Sequence, residues 1–160
     1  MRFLKALSFL AAASLGACAP HDTTSADHEA LRALHTQVLQ AHLTRDADAW
    51  TALEADTVLV GNRGRVFTSL RAERLNMRRR YFGATRFSVY RDLQPPIVQL
   101  ARDRSQGWVL ANVEVIAHSV SVDAADSTHT VWAWIELYEK RAGRWVMVGN
   151  VSNERPGATP

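Results

Sequence analysis

The chain has a single cysteine, Cys18, among 160 residues. No disulfide can form within it, and neither a thiolate metal cage nor a cysteine nucleophile is available to anything that follows Cys18. Lysine is nearly absent too, Lys5 and Lys140 standing against 17 arginines, of which only Arg78-Arg79-Arg80 forms a run. An excess of one charge is also missing. Without Arg2 and Lys5 there are 17 bases against 16 acids, a balance that argues against a nucleic-acid partner. No apolar run reaches the roughly 18 residues that a membrane-spanning helix needs. There is no internal repeat and no low-complexity segment. With no covalent staple, the domain must be held by packing.

The longest apolar stretch lies at the start, where Arg2 and Lys5 accompany a run that ends in Leu15-Gly16-Ala17-Cys18. A basic n-region, a short apolar region and small residues before the cut mark a cleavable secretion signal. The tetrapeptide resembles the lipobox of bacterial lipoproteins. That resemblance implies lipid attachment at Cys18, export, and a membrane-anchored position in the cell envelope, with Ala19 pointing to the outer membrane. Residues 1 to 17 are then the signal, 18 to 27 a polar tether, 28 to 154 one domain and 155 to 160 a tail. Cys18→Ser is expected to move the protein from the membrane fraction to the soluble one; unchanged fractionation would rule anchoring out.

Residues 28 to 45 follow a helical period, with Leu31, Leu34, His35, Val38, Leu39 and His42 on one side. Asp46 can cap a short second helix that turns Ala47, Trp50 and Leu53 inward. Thr57-Val58-Leu59-Val60 reads as a strand entering a tight turn at Gly61-Asn62-Arg63-Gly64. Ser69 offers a cap for a third helix reaching Phe82. Residues 86 to 92, 97 to 102, 108 to 122, 129 to 141 and 144 to 153 are rich in Val, Ile, Trp and Tyr, and turn-forming residues separate them. Three helices followed by a meander of strands make an α+β fold with the helices on one face of the sheet.

In this order of elements, Arg45-Asp46-Ala47-Asp48-Ala49-Trp50 followed by Leu53-Glu54-Ala55-Asp56-Thr57-Val58 resembles the opening of the NTF2-like superfamily, in particular its SnoaL-like and DUF4440-type members. The closing segments 134 to 145 and 148 to 153 resemble the last hairpin of the same group. The resemblance implies a cone-shaped half-barrel with a pocket at its open end, and frequent dimers. It implies no single activity, because the superfamily includes isomerases, cyclases, dehydratases and non-catalytic binding domains.

Proton-transfer chemistry of the ketosteroid-isomerase kind needs a carboxylate base, a tyrosine and a protonated acid. Aligned on Asp46, the tyrosine position falls at Val38 and the base position at Asn62. The second acid position falls at Ile135, with Glu136 one residue away on the opposite strand face. None of the three residues is retained. His28, His35 and His42 share a helix side, but residues seven apart stand about 10 Å from each other, too far to ligate one metal. No metal and no cofactor are therefore expected. His42 and Glu114 remain as possible acid or base groups of a cofactor-free isomerase, dehydratase or hydrolase. If Arg78 points inward, Glu114 is its expected partner.

Trp132, Trp134, Glu136 and Tyr138 alternate along one strand and share a face, leaving Val131, Ala133, Ile135 and Leu137 on the other. The tryptophan face either meets a second copy of the chain, in a homodimer or a protein-interaction module, or lines a ligand cavity. Asn150 is the candidate hydrogen-bonding group on the last strand. The expectation is a pocket for a small, partly apolar ligand lined by His42, Trp50, Tyr81, Glu114 and Asn150, with Trp132, Trp134 and Tyr138 at a dimer interface.

Overall fold

A computed structural model describes residues 23–121 and 127–157. The signal, Cys18 and most of the tether lie outside these residues. The first helix, α1 (Thr23–Thr44), starts five residues ahead of residue 28, so residues 23 to 27 are helical. Asp27 explains the difference. Its buried carboxylate accepts hydrogen bonds from Lys140 Nζ and Trp145 Nε1, which pins the beginning of the helix to the far end of the sheet.

A left-handed Arg45 ends α1, and Asp46 caps α2 (Ala47–Ala52) by accepting the Ala49 N–H at 2.8 Å. The next strand, β1 (Glu54–Asn62), turns through Arg63 and Gly64 into β2 (Arg65–Leu70). Both turn residues have positive φ, 49° and 72°, as the tight hairpin connection requires. Sequence periodicity does not reveal β2, because Arg65 and Thr68 interrupt its apolar alternation. The third helix, α3 (Arg71–Ala84), is not capped by Ser69: Leu70 occupies the cap position, and its N–H donates to the Glu73 carboxylate at 3.3 Å.

Five strands follow: β3 (Thr85–Asp92), β4 (Ile97–Leu100), β5 (Gln106–Ser119), β6 (Ser127–Arg141) and β7 (Arg144–Pro156). The sheet order is β2-β1-β7-β6-β5-β3, and β4 also pairs with β5. All pairings are antiparallel except β1 with β7. β3 and β4 cover successive lengths of β5 and are separated at Pro95-Pro96, where the missing N–H groups cannot continue a ladder. This is the α+β architecture anticipated from sequence.

One sheet face holds the core. Val109, Ala111, Val113 and Val115 of β5 are buried with Trp134 and Tyr138 of β6 and with Leu31 and Val38 of α1. The other face is uncovered, charged around Glu114 and Arg91 and apolar over part of its width. The cross-strand register aligns Val151, Ile135, Leu110 and Ile97 in one row over four strands, and Val151, Leu110 and Ile97 are each 45–49% exposed.

Candidate functional site

Between the helices and the buried sheet face lies a cavity of about 570 Å³. Val38 and His42 of α1, Trp50 of α2 and Tyr81 of α3 contribute to its wall, and Asn150 and Ser152 of β7 to its floor. Four of the five residues expected to line a pocket are therefore together. Glu114 is not among them. It projects from the opposite sheet face, where its carboxylate meets Arg91 Nε at 2.9 Å and His129 Nε2 at 3.0 Å. Strand alternation decides this, since Val113 and Val115 on either side of it are the residues that turn inward.

Arg78 does point inward, but Glu54 is its partner in place of Glu114. Glu54 begins β1 and is 3% exposed; Arg74 and Arg78, one helical turn apart on α3, are 3% and 4% exposed. Arg74 Nε reaches Glu54 Oε2 at 2.7 Å, and Arg78 holds the same carboxylate end-on, Nη1 to Oε2 at 2.8 Å and Nη2 to Oε1 at 2.6 Å. Nη1 and Nη2 of Arg74 donate to the Ser69 and Ala55 carbonyls. The Arg78 guanidinium also lies 3.5 Å over the Trp50 ring. Arg71, Arg74 and Arg78, spaced by three and four, form the stripe that meets β1. That spacing is the sequence signal for this cluster, and the consecutive run at 78 to 80 is not. Arg79 faces outward to Asp48 and Arg80 is exposed.

His42 is buried, stacked on Tyr90 with ring centroids 4.1 Å apart and packed on Trp50 at the same distance. Its Nδ1 lies 2.8 Å from the Val38 carbonyl, which can only accept, so Nδ1 carries the proton. Burial, reinforced by the nearby Arg78 charge, holds its pKa down at about 4. The ring is neutral near pH 7 and poorly matched to proton transfer there.

The face of β6 that carries the tryptophans is turned inward. Trp134 and Tyr138 are buried within the chain and Trp132 lines the cavity, so this face is not available as an interface between copies. With them comes Glu136, which is 1% exposed and lines the cavity while Ile135 looks out through the bare face. The carboxylate accepts hydrogen bonds from Trp134 Nε1 at 3.0 Å, Tyr138 Oη at 2.9 Å and His35 Nδ1 at 3.0 Å. His35 Nε2 is held by Asp92 at 3.1 Å. Burial alone would lower the His35 pKa; the hydrogen bonds and charges of Asp92 and Glu136 outweigh it and push the value up to about 9. Opposite Glu136 in the register stands Asn150. Its amide nitrogen has only a long 3.4 Å contact, to the Ile135 carbonyl, and is available to a ligand.

No protein-family profile and no curated protein matches the chain. Solved structures do. A ketosteroid isomerase-like protein from Erwinia carotovora atroseptica superposes with a TM-score of 0.66 at 16% identity, covering 82% of this chain and 98% of that one. An NTF2-like protein of unknown function from Pseudomonas putida gives 0.63 at 14% identity, covering 85% and 98%. LinA gives 0.67 at 14% identity, covering 84% and 92%. The fold is NTF2-like. At these identities the likeness extends to the fold alone.

Positions 38 and 62, where the isomerase chemistry would place a tyrosine and a base, both line the cavity, occupied here by Val38 and Asn62.

Proposed function

We propose that this domain is a receptor for a small, partly apolar molecule, exported, anchored by lipid at Cys18 and assembled as a homodimer. The observation that carries the receptor reading is the cavity together with the state of its ionisable groups. Its volume is in the range of small-molecule sites, and its walls are mostly aliphatic and aromatic. Its carboxylates and its histidine are already committed: Glu54 to two arginines, Glu136 to three donors, and His42 to its neutral form. An acid–base catalyst needs a group poised to exchange a proton near the working pH, and this arrangement favours binding over turnover.

The dimer reading rests on the bare sheet face. Beside the row from Val151 to Ile97, a second row joins Leu59, Gly149, Leu137 and Trp108. Such a continuous apolar surface is unusual on a monomer and fits a second copy of itself. Native mass spectrometry of the purified domain tests both readings at once. The expected result is two subunits, each with a co-purified small molecule that is lost when Asn150→Trp fills the cavity. A dimer with no bound molecule, and no uptake of any apolar probe, would end the receptor reading; a monomer would end the dimer reading.

A further inference from the structure

We infer that the molecule held in the cavity carries one carboxylate, and that this group seats on the free edge of the Arg78 guanidinium. The inference rests on the receptor reading and adds the ligand's chemical class to it.

A guanidinium offers five N–H donors in a fixed plane. Three of those on Arg78 are used. Nη1 gives one to Thr51 Oγ1 at 3.0 Å and one to Glu54 Oε2, and Nη2 gives one to Glu54 Oε1. The second Nη2 hydrogen and the Nε hydrogen remain. They point the same way from one edge of the plane, the side-on fork that binds a carboxylate through two parallel hydrogen bonds. Nε is buried and has no hydrogen-bond partner, an expensive condition for a charged donor unless something fills it. Arg78 is part of the cavity wall.

Charge points the same way. One carboxylate, Glu54, faces two guanidinium groups, and all three side chains are excluded from water. Every nitrogen of Arg74 has a partner in Glu54 or a backbone carbonyl, whereas Nε of Arg78 has none, so the unmatched positive charge of the cluster is presented by Arg78. The other wall carboxylate, Glu136, shares the His35 cation with Asp92, and its three donors leave it little call on a ligand cation. A monoanion would neutralise the Arg78 surplus. A phosphate dianion would replace it with a buried negative excess, which is costly in a low-dielectric site. Val58, Val60, Met77 and Val115 line the rest of the space and require an apolar body on the ligand.

The test uses the purified domain with two acids, 2-naphthoate and decanoate, against their neutral amides, 2-naphthamide and decanamide, by titration calorimetry. The expected result is at least tenfold tighter binding of the acids to the wild-type protein, with the preference abolished in Arg78→Met. Arg78→Lys keeps the charge opposite Glu54 but lacks the fork, and it carries the test if the methionine variant does not fold. In it the acid preference is expected to fall at least threefold. Equal binding of acids and amides by the wild type overturns this inference and leaves the receptor reading standing. A preference that survives both substitutions overturns it as well. Failure of all four probes to bind overturns the receptor reading and this inference together.

Discussion

Replacing Glu54 with glutamine is expected to destabilise the domain by about 3 to 5 kcal/mol, the usual penalty for removing one partner of a buried ionic cluster. The substitution preserves shape and leaves the guanidinium groups of Arg74 and Arg78 facing each other without the carboxylate that both now bind. Against a total stability of roughly 5 to 15 kcal/mol, that loss is large. For a domain of this size it lowers the melting temperature by about 10 °C or more. Replacing the whole cluster, as Glu54→Leu with Arg74→Leu and Arg78→Met, is expected to recover most of the stability, because apolar groups of similar volume remove the desolvation penalty along with the attraction. A Glu54→Gln variant that melts within a degree or two of the wild type would show that water reaches this cluster after all.

A stability profile that peaks near pH 6.5 and falls on both sides is the second expected result, and two histidines cause it. His35 is bound as a cation between Asp92 and Glu136. Its pKa in the fold, about 9, lies above the unfolded value near 6.5, so its contribution is complete below pH 6.5 and disappears as the pH rises through 9. His42 behaves in the opposite sense. Buried as a neutral ring with its pKa held at about 4, it stabilises the fold above pH 6.5 and loses that contribution as the pH falls through 4. Each shift corresponds to at most about 3 kcal/mol, at 1.36 kcal/mol per unit. Urea midpoints at pH 4, 6.5 and 9 measure both limbs. His35→Gln is expected to flatten the alkaline limb and His42→Gln to shrink the acidic one. No change in midpoint between pH 6.5 and 9 in the wild type would refute the cationic state assigned to His35.

Much of the fold was legible in the chain. The Leu31, Val38 and His42 stripe marked α1, the Asp46 cap marked α2, and the β-branched segments after Gly83 marked the later strands, because each element repeats its own period in hydrophobicity. β2 was not legible. It is an edge strand whose Val66 and Leu70 lie exposed, so burial never imposed an alternation on it. Within the site, His42, Trp50, Tyr81 and Asn150 could be picked out because apolar stripes and strand positions aim them at the interior. Glu54 and Glu136 could not, since an acid among apolar residues looks the same before and after its partners are known. The partners are far off in sequence: Arg78 lies 24 residues from Glu54, and His35 lies 101 residues from Glu136.

The amino-acid order by itself determined the element types, the succession from helices to sheet and the isolation of Cys18, all of which depend on local period, spacing and identity. The tertiary structure decided which face of β6 looks inward. A period of two separates Trp134 and Glu136 from Ile135 and Leu137 but does not say which set meets the helices; that follows from where α1 and α3 cross the sheet. The same packing placed Glu114 outside and Glu136 inside, and brought one carboxylate against two arginines beside the cavity. Charge pairing across long sequence separations is a property of the assembled layers, and no window of the chain contains it.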